Sequence, residues 1–273
     1  MPATFRAALI QFTAARDVEP NLKTVEELYR RAADGGADFI LTPENTNFLE
    51  PDERRARDKA VDDADDEMLA RCRALARETG IWTLVGSVSV TAGDKRANRS
   101  VLIDGQGREV TCYDKIHMFD VDIGDGQVYR ESAVIAAGNA AVVADLPWGR
   151  VGLSVCYDLR FPHLYRALAK AGADILTVPA AFTKVTGKAH WHTLLRARAI
   201  ENGAYVLAPG MCGTHAEGRE TFGHSLIVDP WGEVVADGGE EPGVVFADID
   251  MDRVAAARRM IPALTHDRPF DGP

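Results

Sequence analysis

The fold class this sequence predicts is a mixed, layered α/β domain. Three observations lead there. Apolar runs of strand length are interleaved with amphipathic helical runs along the whole chain. Some neighbouring strands are joined by tight turns, which implies antiparallel pairing, while others are separated by a helix, which permits parallel pairing. No repeat, low-complexity tract or long linker divides the 273 residues, so they are expected to form a single domain over 1–273 with a substantial core. Nothing in the pattern alone sets the number of layers.

The elements follow in order. Phe5–Phe12 is an apolar run bounded by polar residues and reads as a strand. Asn21–Ala33 has helical spacing, with Leu22, Val25, Leu28, Tyr29 and Ala32 on one face, and Gly35-Gly36 stops it. Asp38–Thr42 is a short apolar strand ended by "PEN". The mixed charges between Asp52 and Arg77 read as a solvated stretch and a helix, with Glu67–Glu78 helical and Gly80 just past its end. Ile81–Val90 and Asn98–Ile103 are strands, and Gly105–Gly107 turns the chain into Arg108–Tyr113. Ala141–Leu146 and Val151–Val155 form a hairpin around "PWGR", and a helix starts at Pro162, where proline suits a first turn. Asp174–Val178 is a buried strand, Ala189–Glu201 a helix and Ala204–Ala208 a strand. "HSLIVDPWGEVVAD" is a hairpin turning through Asp229–Gly232, followed by a strand over Val244–Ile249 and a helix over Met251–Arg259.

Composition narrows the function. Hydrophobic residues at 46% and charged residues at 26% are ordinary globular values. The formal charge of −10 repels nucleic acid and anionic membranes, and no long basic run offsets it. No apolar stretch approaches the roughly 20 residues of a membrane span, and the N-terminus carries no signal-peptide cleavage pattern. The four cysteines, Cys72, Cys112, Cys156 and Cys212, are scattered without a CxxC, so neither a zinc site nor a disulfide framework is expected. A reducing cytoplasm is the simplest setting.

Cys156 stands out because the apolar run Val151–Val155 ends on it and charged residues follow at once. A thiol attacks as thiolate and needs a base or local positive charge. The helix start that follows favours an anion there. On position alone, a buried structural thiol and a nucleophile are both open. Glu44 and Lys115 occupy similar places at strand ends, and each alone reads as a turn or surface residue. Together the three have complementary chemistry. Glutamate takes the thiol proton and returns it to an amine leaving group. Lysine, helped by the backbone N–H after the cysteine, stabilises the oxyanion. Spacing permits this set without selecting it.

"TPEN", "YDKIHMFD" and "CYDLRFP" resemble, in order and context, the three catalytic segments of the nitrilase superfamily of carbon–nitrogen hydrolases. The resemblance runs from "ALIQF" to "THDRPF" and includes "ADILTVPAAFT", "HWHTLLRARAIENGAYVLAP" and "GHSLIVDPWG". It implies a four-layer αββα sandwich, Cys156 as nucleophile, Glu44 as general base and Lys115 as the third catalytic residue. Glu131 in "VYRES" matches a second glutamate that positions substrate and lysine. Tyr157, Arg160, Ala181, Phe182 and Thr183 match segments that bind substrate, and no cofactor or metal is implied. The expected partners are a small-molecule amide and a second copy of the chain. Phe161–Ala171 and Trp191–Glu201 match dimer-forming regions, so a homodimer or assembly of dimers is expected. "KIHMFDVDI" and "AFTKVTGKAHWHTLLRARAIE" are most similar to the amidase branch that contains deaminated glutathione amidase and the ω-amidases. Val121–Arg130 departs from that branch's usual loop.

The branch implies a carboxylate-bearing amide. In an acidic chain such a substrate needs a local cation besides Lys115, and Arg160, Lys184 and Lys188 are the candidates. Alternatives remain: a nitrilase or N-carbamoyl-amine hydrolase using the same triad, or an interaction protein with secondary amidase activity. Other conspicuous residues are expected to be structural. His190 and His192 do not share a helix face, so no metal is expected between them. His163, seven residues after Cys156, is not expected to form a Cys–His dyad. Asp158 and Arg160 are expected to cap the helix or pair with each other.

Overall fold

Along the first strand, alternate residues enter different cores. Phe5, Ala7 and Leu9 enter one; Ala8, Ile10 and Phe12 enter the other. A strand buried on both faces reads as a continuous apolar run, which is what the sequence shows here. A computed structural model of the chain describes residues 3–122 and 128–272. The rest of the Val121–Arg130 departure, residues 123–127, lies outside the described residues.

The first half runs β1 (Thr4–Gln11), α1 (Val18–Asp34), β2 (Phe39–Leu41), α2 (Glu53–Lys59), α3 (Glu67–Thr79), β3 (Trp82–Ala92), β4 (Lys95–Ile103), β5 (Glu109–Asp114), β6 (Asp120–Asp122) and β7 (Val128–Arg130). The second half runs β8 (Val143–Leu146), β9 (Gly149–Gly152), α4 (Pro162–Lys170), β10 (Ile175–Thr177), α5 (Lys184–Asn202), β11 (Tyr205–Ala208), β12 (Cys212–Thr214), β13 (Glu220–Phe222), β14 (Leu226–Val228), β15 (Val234–Asp237), β16 (Gly243–Asp250) and α6 (Asp252–Met260).

Two six-stranded sheets result, ordered β16-β1-β2-β3-β4-β5 and β15-β14-β11-β10-β9-β8. Each has a parallel centre, β1-β2-β3 and β9-β10-β11, flanked by antiparallel strands. The helix-separated strands are therefore the parallel ones and the turn-joined strands the antiparallel ones, as the connections imply. Phe5, Leu9, Leu41 and Leu84 of the first sheet share one core with Val151, Ile175 and Leu207 of the second. That core continues into Leu164, Leu168, Trp191 and Leu195 of α4 and α5. The opposite face of the first sheet packs on Val25, Leu28 and Tyr29 of α1 and on Leu69, Cys72 and Leu75 of α3. The order is helices, sheet, sheet, helices: the expected αββα sandwich. Truncating a fully buried leucine such as Leu9 to alanine costs about 2–5 kcal/mol in such a core.

Several boundaries differ from the sequence expectation. α5 begins at Lys184 rather than Ala189. Its early Gly187 is a packing residue, since a Cβ there would lie 2.3 Å from the Phe222 ring. Helix α2 forms within the stretch read as solvated: the Asp52 carboxylate accepts from the Arg55 N–H, and Ala56 is buried beneath it. The β9 ladder stops at Gly152, and Leu153–Val155 continue unladdered to a 3₁₀ turn over Cys156–Arg160. The hairpins β6-β7 and β12-β13 carry no strong alternating pattern and were not expected.

Candidate active site

Three chain segments leave their sheets at one rim. Glu44 follows β2, Lys115 follows β5, and Cys156 follows the β9 segment. All three are buried. The turn carrying Glu44 is tightly held. Gly86 N–H donates to Thr42 Oγ1 at 2.9 Å, and Asn45, at φ 56°, donates its N–H to Ser87 Oγ at 2.9 Å. Only glycine fits at 86, because a Cβ would lie 1.9 Å from the Thr42 carbonyl oxygen.

The Lys115 ammonium joins two carboxylates. Nζ donates to Glu44 Oε1 at 3.0 Å and to both oxygens of Glu131 at 2.9 Å. Glu44 Oε1 also accepts from Asn98 Nδ2 at 2.9 Å, and its Oε2 accepts from the Ala181 N–H at 2.8 Å. Glu131 is fixed by the Phe119 N–H at 2.6 Å. The Cys156 thiol lies beside Glu44, close enough for each to shift the other's protonation.

Charge in this cluster is set by competition. Burial works against the Glu44 charge, but Lys115, the thiol and the Ala181 N–H outweigh it and hold the carboxyl below its ordinary 4.5. Burial would likewise lower Lys115, yet Glu131, Glu44 and Cys156 push it well above its ordinary 10.5. For Cys156, burial and then the Glu44 charge push the thiol well above its ordinary 9.0, against the pull of Lys115. At neutral pH the lysine and Glu44 are charged and the sulfur keeps its proton. This corrects the expectation of a helix start that favours thiolate: α4 begins only at Pro162, and Cys156 opens a 3₁₀ turn instead.

Cys156 adopts φ 49°, the left-handed region, where a residue with a Cβ is strained by about 1–3 kcal/mol. Its N–H donates to the Pro179 carbonyl at 2.9 Å. Asp158 secures the turn from below. It accepts from the Val155 N–H, Tyr113 OH, the His117 N–H and His117 Nδ1, at 2.7–3.0 Å. Tyr113 and His117 flank Lys115 in sequence, so one fully buried carboxylate ties the lysine segment to the cysteine turn. The expected structural role for Asp158 holds, but its partners are not Arg160. Arg160 instead meets His190 Nδ1 at 3.3 Å and lies over the Tyr157 and Phe182 rings.

A cavity of about 660 Å³ opens over these groups, within the range of small-molecule sites. Its lining includes Glu44, Lys115, Glu131 and Cys156, and four of the residues expected at the substrate: Tyr157, Ala181, Phe182 and Thr183. Arg160, Lys184 and Lys188 are not among its lining residues. Lys184 pairs with Glu220 at 2.9 Å. The cations that do line it besides Lys115 are Arg96, Arg130 and Arg219. Arg96 is paired with Glu53. Arg219 lies 5.9 Å from the Tyr129 ring centroid, its Nη2 donates to the Ala181 carbonyl at 3.2 Å, and among the described residues its buried Nε has no acceptor. Sequence reasoning missed Asn98 and Arg219. Asparagine at the head of the expected strand Asn98–Ile103 was a usable signal, because strands disfavour it.

A family model described as carbon–nitrogen hydrolase matches residues 6–259. The deaminated glutathione amidase of Synechocystis is 43% identical over 269 residues, covering 96% of this chain and 97% of that protein. The C. elegans NitFhit protein superposes with a TM-score of 0.91 at 38% identity; the match covers 97% of this chain and 65% of NitFhit, a longer protein. An amidase from Nesterenkonia sp. AN1, solved after Michael addition of acrylamide at its active-site cysteine, gives a TM-score of 0.80 at 28% identity, over 94% of this chain and 98% of that one.

Proposed function

Because the chain belongs to the carbon–nitrogen hydrolase family and is an amidase of the nitrilase superfamily, we propose that it works through a thioester on Cys156. One observation carries this reading: a single buried carboxylate, Glu44, accepts from the Lys115 ammonium at 3.0 Å and lines the same cavity as Lys115 and Cys156. Glu44 takes the thiol proton as sulfur attacks the amide carbonyl. Lys115, with the Tyr157 N–H in the opening turn, stabilises the oxyanion. Glu44 then protonates the leaving nitrogen, ammonia departs and the thioester remains. Water, deprotonated by Glu44, cleaves the thioester to the acid, and the proton returns to sulfur. Glu131 holds Lys115 in place. Intact-mass measurement on a slow amide should find the acyl group on the wild-type chain and none on Cys156→Ala; an unmodified wild type with full turnover would overturn the scheme.

The substrate proposed is a small carboxylate-bearing amide, of the deaminated glutathione or dicarboxylic monoamide type. Arg219 in the cavity wall, whose Nε lacks an acceptor, supports it, because a guanidinium offers a carboxylate two parallel donors. Arg219 therefore replaces Arg160, Lys184 and Lys188 as the expected contact. Ammonia release from a panel of amides tests this. Arg219→Gln should raise KM for acidic amides and leave neutral aliphatic amides unchanged; an equal effect on both classes would refute the contact. We also propose a dimer in a reducing cytoplasm. Exposed Ile200, Met260 and Ile261, on and beside α5 and α6, support pairing through the helical layer. Free cysteines, and the lack of any membrane-length apolar helix among the described residues, fit the compartment. Light scattering that finds only a monomer at micromolar concentration would refute the dimer.

A further inference from the structure

Away from the cavity, three donors from three separate elements converge. His192 lies on α5, His224 between β13 and β14, and Asp237 at the end of β15. His192 Nε2 is 2.9 Å from Asp237 Oδ2, and His224 Nδ1 is 2.8 Å from Asp237 Oδ1. One ligand atom from each residue lies within 4.8 Å of the other two. We infer that His192, His224 and Asp237 bind a borderline divalent transition-metal ion, with Zn²⁺ the best match.

The donor set decides the class of ion. Two imidazoles and one carboxylate suit Zn²⁺, Co²⁺ or Ni²⁺, whereas Mg²⁺ and Ca²⁺ ask for oxygen ligands. Tetrahedral zinc with bonds of about 2.1 Å needs ligand atoms about 3.4 Å apart, so donors already this close need only a small adjustment. Each imidazole can be neutral, with its proton on the other ring nitrogen. Asp237 and His192 are both about one-third exposed, leaving a path for the ion and a place for a water ligand.

The surroundings hold the donors in position. The Gly239 N–H donates to Asp237 Oδ1 at 2.9 Å, which leaves Oδ2 to turn toward an ion. His224 is held at φ 50°, its N–H on the Gly239 carbonyl and its own carbonyl on Trp191 Nε1 at 2.8 Å. The Phe222 ring stacks on His224, with centroids 4.4 Å apart, and meets His192 edge-on. Such outer partners orient ligands in metal sites. Sequence spacing pointed away from this site, because it weighed His192 only against His190, which does not share its helix face. The His190 ring goes to Arg160, and the true partners lie 32 and 45 residues further along the chain.

The site is independent of the reaction at Cys156, and its test does not use activity. Chelator-treated Cys156→Ala chain, which lacks the cavity thiol, is titrated with Co²⁺ and then Zn²⁺. The expected result is one Co²⁺ per chain, with the visible bands of four-coordinate cobalt abolished by one equivalent of Zn²⁺. His192→Gln and Asp237→Asn keep hydrogen-bonding capacity, and each should weaken binding by at least about tenfold, the lower bound seen even for outer-partner losses. Diethyl pyrocarbonate footprinting of the same chain needs no further variant: Zn²⁺ should protect His192 and His224 but not His163 or His190. A plain hydrogen-bonded bridge would give no saturable Co²⁺ binding up to about 100 µM, equal modification with and without Zn²⁺, or binding indifferent to both substitutions, and any of these would overturn the site.

Discussion

Replacing Lys115 by methionine keeps the length of the side chain and removes the charge that two carboxylates share. The Nζ–Glu44 separation of 3.0 Å corresponds to about 5 kcal/mol of attraction at an effective dielectric of about 20. Part of this is returned, because a lysine no longer has to be desolvated. Breaking a buried pair by deleting one partner nets a loss of about 3–5 kcal/mol. Glu44 keeps its Asn98 and Ala181 donors, which places the loss at about 3 kcal/mol at pH 7. Turnover should fall by about 10²–10³, the scale of one lost oxyanion donor.

The sharper test is the sign of the pH dependence. In the wild type the Glu44 carboxyl is held below its ordinary value. It therefore contributes stability that is present above that value and is lost as pH falls through the folded one. Without Lys115, burial dominates and the carboxyl moves above its ordinary value. The folded variant then holds a proton that the unfolded chain has released, and its stability rises as pH falls toward the ordinary value. Wild type minus variant should shrink on acidification, by up to about 1.4 kcal/mol per pH unit for this one proton. Urea titrations of both chains between pH 7 and pH 4.5 measure it. Parallel curves would refute the coupling of Lys115 to Glu44, whatever the activity showed.

Other outcomes follow from the same geometry. Cys156→Ala and Cys156→Gly should both be inactive, but glycine takes φ 49° without a Cβ penalty, so by urea titration Cys156→Gly should be the more stable by about 1 kcal/mol. Equal stabilities would mean that the cysteine turn is unstrained. Gly86→Ala forces a Cβ onto the Thr42 carbonyl; a loss of at least about 1–3 kcal/mol is expected, with kcat reduced through displacement of Glu44, and wild-type Tm and rate would contradict it. Asp158→Asn turns an acceptor of four donors into a group that must itself donate; kcat should fall more than KM changes, and a KM-only effect would separate this residue from the lysine segment.

Much of the scaffold was legible because its signals are local. The apolar stripe of α1, Gly35 at its end, Pro162 opening α4 and the Asp229–Gly232 turn each act within a few residues. The double-sided burial of β1 was legible as an unbroken apolar run. Glu44, Lys115 and Cys156 were visible as charged or reactive residues at strand ends, but only the family resemblance joined them. Their meeting depends on sheet order, and sheet order is set by pairings across more than a hundred residues, such as Leu9 with Val245. Arg219 follows the unforeseen β12–β13 hairpin's turn, so nothing local marked it as a cavity residue. Arg160 is close to Cys156 in sequence, yet the 3₁₀ turn places it over the Tyr157 and Phe182 rings and against His190, outside the cavity lining.

The resting cluster bears two carboxylates, one ammonium and a protonated thiol, with Glu44 below and Cys156 above their ordinary values. This ordering has a consequence for the proposed reaction. Transfer of the proton from sulfur to Glu44 is uphill on its own, because it moves the negative charge from a carboxylate held by Lys115, Asn98 and the Ala181 N–H to a buried sulfur without those donors. Attack on a carbonyl removes the difficulty: negative charge moves from sulfur to the substrate oxygen, next to Lys115 and the Tyr157 N–H, while the proton settles on Glu44. Proton transfer and carbon–sulfur bond formation are therefore coupled. Without a bound carbonyl the sulfur keeps its proton, and a thiol is a weaker nucleophile than a thiolate. Selectivity between amides then rests on what brings the carbonyl to the sulfur. Among the described residues of this cavity, Arg219 has a guanidinium nitrogen, Nε, without an acceptor, and it is the cation we propose for an acidic substrate.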